Sequence, residues 1–129
     1  MEIGPNGVKT EMVVDTGGTW IVVDPGLAAL AGIEPAVDDR VAELMVRGSL
    51  WRGRLVRATA TFLADQGHNL VVEGSFFVPE LDPGDEWRAP SFLGWSGCLE
   101  HVRFAVDPQA RTFSFAPVDP ELRPERTSG

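Results

Sequence analysis

One acid in this chain sits where an acid could do chemistry. Asp15 is followed by Thr16, Gly17 and Gly18 and lies between two β-rich apolar runs, in the stretch VVDTGGTWIVV from Val13 to Val23. Carboxylates alone can hydrolyse an amide if two of them share one proton. One then acts as base toward water while the other donates a hydrogen bond to the scissile carbonyl. Two like charges ~3 Å apart cannot both ionise, so the pair splits its pKa values, and those values belong to the pair rather than to either residue. Such a pair must be held rigidly. A threonine after the aspartate can bond across to a neighbouring loop, and a glycine lets backbone approach the carboxyl closely. Asp, Thr and Gly are equally the residues of an ordinary β-turn, so the tripeptide alone leaves both readings open. A carboxylate between two apolar strands is expected near the edge of the core, where it costs stability unless it is satisfied or functional.

The other candidates are weaker. Cys98 and His101 stand three apart on a short expected helix and share a face. That spacing would suit a nucleophile pair, but cysteine is commonly a small buried apolar residue and no oxyanion-hole motif accompanies it. His68 falls in a turn. Asp24, Asp82, Asp107 and Asp119 each precede proline and read as structural turn or loop starters. Asp38, Asp39 and Glu43 form a mild acidic patch that reads as a solvated face. Neither a Mg²⁺ cage nor a CxxC metal spacing is present in the pattern, so no metal or cofactor is expected.

The elements that must position Asp15 are short apolar runs punctuated by glycine and proline, the pattern of an all-β domain. Val8 to Val14 is expected as the strand entering the Asp15 loop and Trp20 to Val23 as the strand leaving it. In DPGLAALAGI, Asp24 suits an N-cap, Pro25 the first helical position and Gly32 a stop, giving a helix from about Gly26 to Ala31. Ala42 to Leu55 reads as a hairpin with glycines at 48 and 53. Val56, Ala58, Ala60 and Phe62 alternate with polar residues, as in a half-buried strand. After a turn at 65–69, Leu70, Val72, Phe76 and Val78 share a face of the returning strand, with Gly74 a candidate bulge. A loop at 81–87 follows, then a short helix from about Ser96 to His101. Val102 to Val106 and Thr112 to Ala116 make a terminal hairpin. Residues 1–118 form the expected domain, and 119–129 a polar, proline-rich tail expected to fray.

The chain has 129 residues, enough for one domain with a core that needs no disulfide or metal. Its formal charge of −8 disfavours nucleic acid and anionic membrane as partners. A single cysteine cannot form an internal disulfide. The N-terminal residues lack the pattern of a signal peptide, and no apolar run approaches the length of a membrane span. A cytoplasmic, reducing location is therefore expected.

With these residues in view, the chain resembles the retropepsin-like aspartic proteases, in their bacterial single-domain form. VVDTGGTWIVVDPGLAALAGI is similar to the family's active-site segment. SFLGWSGCLEHVRFAVDP, with Phe92, Leu93 and Gly94, is similar to its second signature, whose loop packs under the catalytic loop. RFAVDPQARTFSFAP resembles the closing hairpin. The hairpin carrying Gly48, Ser49, Leu50 and Trp51 stands where the family has its flap, and the likeness runs from about Val8 to Pro117. The resemblance implies a closed β-barrel with one or two short helices, supplying one catalytic aspartate per subunit. There is one DTG, so a second Asp15 would come from a second copy across a twofold axis. The implied activity is that of a homodimeric aspartic endopeptidase, with peptide or protein as substrate and Leu50, Trp51 and Phe92 lining the cleft. Gly18 stands where the family usually has Ala or Ser, which removes any side-chain hydrogen bond to the pair. The alternative is a barrel of the same type that binds peptide or dimerises without cleaving.

Overall fold

The computed structural model describes residues 1–118, and the expected tail with Asp119 lies outside the described residues. The strands in chain order are β1 (Glu2–Ile3), β2 (Val8–Lys9), β3 (Val13–Val14), β4 (Ile21–Val22), β5 (Arg40–Val46), β6 (Ser49–Phe62), β7 (Leu70–Pro79), β8 (Phe92–Leu93), β9 (Val102–Asp107) and β10 (Thr112–Pro117). Among the described residues one helix, α1 (Pro25–Ala31), follows β4, and a single 3₁₀ turn, Leu99–His101, precedes β9. The fold is all-β. Eight strands form one curled sheet in the order β2-β1-β6-β7-β4-β8-β3, with β5 paired to the free part of β6, while β9 and β10 form a separate hairpin. The hydrogen-bonded path has two ends, β2 and β3, so the single chain builds a curled half-barrel.

The helix forms as its residues dictate. Asp24 Oδ1 accepts from the Gly26 and Leu27 amides at 2.6 and 3.3 Å, a cap worth about 1 kcal/mol. Gly32 closes the helix at φ 77°, and the Ile33 amide bonds back to the Ala28 carbonyl at 2.8 Å. On β6, Ala60 and Phe62 are buried while Arg57 and Thr59 are exposed, as the alternation requires.

Three expectations change. The entering strand is interrupted: β2 pairs with β1, then the chain crosses over and β3 pairs in parallel with β8. The segment at 96–101 is a run of turns ending in the 3₁₀ turn rather than a helix from Ser96. Gly74 is no bulge, for β6 and β7 pair in unbroken register from Gly53↔Pro79 to Phe62↔Leu70. A side chain at position 74 would instead press on Ile21 Cδ1 at 2.7 Å and the Gly97 carbonyl at 2.9 Å.

From Phe76 to Pro79, strand β7 is buried on both faces. Phe76 and Val78 join the main core with Ile3, Ile21, Leu99 and Cys98. Phe77 points the other way into a second cluster with Val22 and Trp87. Phe104, Phe113 and Phe115 of the β9–β10 hairpin pack against the main core, with Phe113 stacked on Phe62 at 6.0 Å.

Candidate active site

The sequence from Asp15 to Gly18 is a turn, closed by the Gly18 amide on the Asp15 carbonyl at 3.0 Å. The Asp15 carboxylate accepts from the Gly17 amide at 3.2 Å, the local bond that aspartate offers to turns. The turn is fastened from outside by the segment carrying Phe92, Leu93 and Gly94. The Val13 amide donates to the Ser91 carbonyl at 2.8 Å, the Asp15 amide to the Leu93 carbonyl at 2.9 Å, and the Trp95 amide to the Gly18 carbonyl at 2.8 Å. Gly94 is required there, because a Cβ would strike the Trp20 backbone, its nitrogen at 2.7 Å. The two stretches singled out in the sequence are thus bonded into one unit.

The carboxylate itself is exposed, which corrects the expectation that it sits at the core's edge. The cause lies in topology. Strand β3 is the last strand of the sheet and pairs only with β8, so Val13 and Val14 remain 46% and 37% exposed. The strand leaving the loop is fully enclosed, with β4 between β7 and β8. Gly18 packs so near Asp15 that a Cβ would lie 2.9 Å from Oδ2. The Thr16 side chain is exposed, and its hydroxyl makes no hydrogen bond within the described residues.

Beside Asp15 is a cavity of about 210 Å³, lined by Gly18, Thr19, Trp20, Val22 and Phe92 on one side and by Leu44, Met45, Val46 and Arg47 on the other. The β5–β6 hairpin therefore borders the same cavity as Asp15, and it presents its incoming strand. Gly48 and Ser49 are exposed, and Leu50 is 61% exposed and does not line the cavity. Trp51 turns under the hairpin and meets Trp87 edge-on, ring centroids 5.1 Å apart. Of Leu50, Trp51 and Phe92, only Phe92 lines the cavity. The reason is register. Val46 pairs with Ser49 across a two-residue turn in which Arg47 and Gly48 both have positive φ, 49° and 81°, the geometry favoured in tight hairpins. Ala42, Leu44 and Val46 then share the inner face with Trp51. The alternation of those residues was the available signal, and the glycine at 48 drew attention past them.

The remaining candidates are accounted for by structure. Cys98 is fully buried, and burial pushes its thiol up from 9.0 to about 12, which removes the thiolate a nucleophile needs. His101 lies 3.4 Å from Glu100 at the surface. Asp107 Oδ1 accepts from the Gln109 and Ala110 amides, and Asp39 from the Ala36 amide at 2.7 Å. No helix is long and apolar enough to cross a membrane among the described residues.

The site thus offers one exposed carboxylate in a backbone-fastened turn, an apolar cavity beside it and a hairpin over both. No protein-family model matches this chain, nor does any curated protein.

Proposed function

We propose that this chain is one protomer of a homodimeric aspartic endopeptidase of the retropepsin-like type, in which the Asp15 carboxylates of two copies share a proton and activate one water. The observation that carries the reading is the fastening of the Asp15–Gly18 turn to Leu93 and Trp95 through backbone bonds of 2.8–2.9 Å, with the carboxylate left exposed beside a covered apolar cavity. Here Oδ1 accepts from the Gly17 amide at 3.2 Å, its only bond among the described residues.

Dimerisation is supported by what surrounds the turn. Val13, Val14 and Trp95, the last 47% exposed, surround Asp15 with apolar surface. A twofold axis near Asp15 would bury them, bring the carboxylates together and offer each Thr16 hydroxyl a loop to bond. The closed barrel is the finer form of the fold that this reading implies. An extended peptide would lie between Asp15 and the β5–β6 hairpin, adding a strand to it, with a bulky apolar side chain in the cavity.

The test is digestion of a mixed peptide library from acid to neutral pH, with cuts read by mass spectrometry and the dimer measured by sedimentation. Cleavage by the wild type and a loss of at least about 10³-fold in Asp15→Asn are expected, since the pair is the whole chemical apparatus. Binding without cleavage by folded, dimeric wild type would replace the enzyme with the non-cleaving module, a reading that Gly18 favours by offering the pair no side-chain hydrogen bond. Equal cleavage by both proteins would remove Asp15 from the chemistry.

A further inference from the structure

Among the described residues, the cavity beside Asp15 has an apolar lining apart from Thr19 and two charges, and only one of the charges belongs to the proposed chemistry. The other is Arg47. It occupies the first position of the two-residue turn at the hairpin tip with φ 49°, where asparagine or glycine is the usual occupant. Arg111, in the β9–β10 loop, has a similar backbone at φ 55°, so conformation alone distinguishes neither. Placement does, because Arg47 lines the Asp15 cavity.

Arg47 is also uncommitted. Arg54, Arg57 and Arg88 each have a glutamate within 4.0 Å, at Glu80, Glu73 and Glu86. Among the described residues Arg47 has no such partner, which it shares with Arg40, Arg52, Arg103 and Arg111, and its place at the cavity is what singles it out. Its guanidinium holds five donors and stays charged at any working pH. Glu43, on β5, is opposite Arg52 across the hairpin and is not among the residues that line the cavity.

We propose that Arg47 makes this cleft selective for acidic peptides, pairing with an Asp or Glu side chain close in sequence to the apolar residue that fills the cavity. The inference rests on the proposed peptide cleft and names its substrate class. Electrostatics in the assembled site favour it. Two Asp15 carboxylates sharing a proton carry one negative charge between them, against two guanidiniums from the two hairpins. The cleft is therefore locally positive in a chain whose formal charge is −8. The surrounding negative field weakens distant attraction, so selectivity comes from the direct contact and its apolar neighbours, which exclude water from one side of the pair.

The test is peptide binding to Asp15→Asn protein, which holds peptide without cutting it, followed by fluorescence anisotropy. The probes are C-terminally amidated peptides carrying one Phe or Leu flanked by Glu, or by Gln at the same place. The Glu peptide is expected to bind about three- to tenfold more tightly at low salt, the range for a charge-assisted bond that keeps some solvent. In Arg47→Gln the ratio falls to near one, in Arg47→Lys part of it returns, and in Arg47→Glu it inverts. Equal binding of the two peptides by the parent protein, or a preference that survives Arg47→Gln, would overturn the role of Arg47 while leaving the cleft intact. If folded, dimeric protein binds none of the peptides, the peptide cleft itself is wrong and the inference goes with it.

Discussion

On one side of the Asp15 cavity, the stretch from Val13 to Gly18 is bonded to the 91–95 segment by backbone amides at three places, and glycine there is a matter of space. On the other side, the tip of the β5–β6 hairpin bonds to itself, Val46 to Ser49. The first backbone bond from β6 to a residue beyond the paired strands is the Glu80 amide on the Arg52 carbonyl, at 2.8 Å. A methyl built on Gly48 would meet nothing within 4 Å, whereas one on Gly94 collides with backbone. The cavity therefore has one wall fixed by backbone packing and one held by side chains. A site that must aim a carboxylate and still admit a chain needs that division.

The wall held by side chains stands on Trp87, which is 6% exposed and carries Trp51 against its ring. Trp87→Ala is expected to cost about 4 kcal/mol in urea unfolding and to free the hairpin, seen as faster amide exchange from 42 to 52. Trp87→Phe sharpens the point. Among the described residues the buried indole N–H has no partner, so a ring lacking it should cost far less than truncation and could stabilise, because an unmet buried donor itself costs about 1–3 kcal/mol.

The fixed wall is tested by Gly94→Ala. The added methyl has only the Trp20 backbone to displace, so a loss of about 3 kcal/mol is expected from overpacking, together with loss of any activity through the Asp15 turn. A smaller effect comes from Cys98, beneath the same wall, whose amide bonds the Trp95 carbonyl. The unfolded chain gives up this proton near 9.0 and the fold holds it to about 12. Stability present below pH 9 should then fall through that window, by up to about 1.4 kcal/mol per pH unit. Cys98→Ala should flatten that slope in unfolding curves taken at stepped pH, and the chain has no tyrosine to titrate there. The smallest change is Gly48→Ala, which adds a side chain at φ 81° in open space and should cost about 1 kcal/mol. If Gly48→Ala proved as damaging as Gly94→Ala, the contrast between the walls would be wrong.

Much of the fixed wall was legible. Asp15 to Gly18, Phe92 to Gly94 and the helix between Asp24 and Gly32 are local patterns, and local patterns carry their own chemistry. The alternating half of β6 was equally plain. The hairpin from Glu2 to Lys9 was not, because its strands are two residues each, too short for any period to show. Trp87 gave no sign either, since it is buried from within an irregular segment by tertiary packing alone. The cavity-facing residues of the hairpin were missed by a matter of register. In a strand a shift of one residue exchanges the faces, and only the turn geometry at Arg47 and Gly48 decides which face is inward.

Gly53 joins these two worlds within one strand. It pairs with Ala42 on one side and Pro79 on the other, and its Cα lies against the Val78 carbonyl with no room for a side chain. Toward the hairpin tip from Gly53, β6 is half of a two-stranded ribbon, and toward its other end it is the spine of a wide sheet. A 14-residue strand built this way acts as a cantilever clamped at its fifth residue, Gly53. Thermal bending gathers on the side that carries Arg47 and Gly48 and is damped before it reaches the main core.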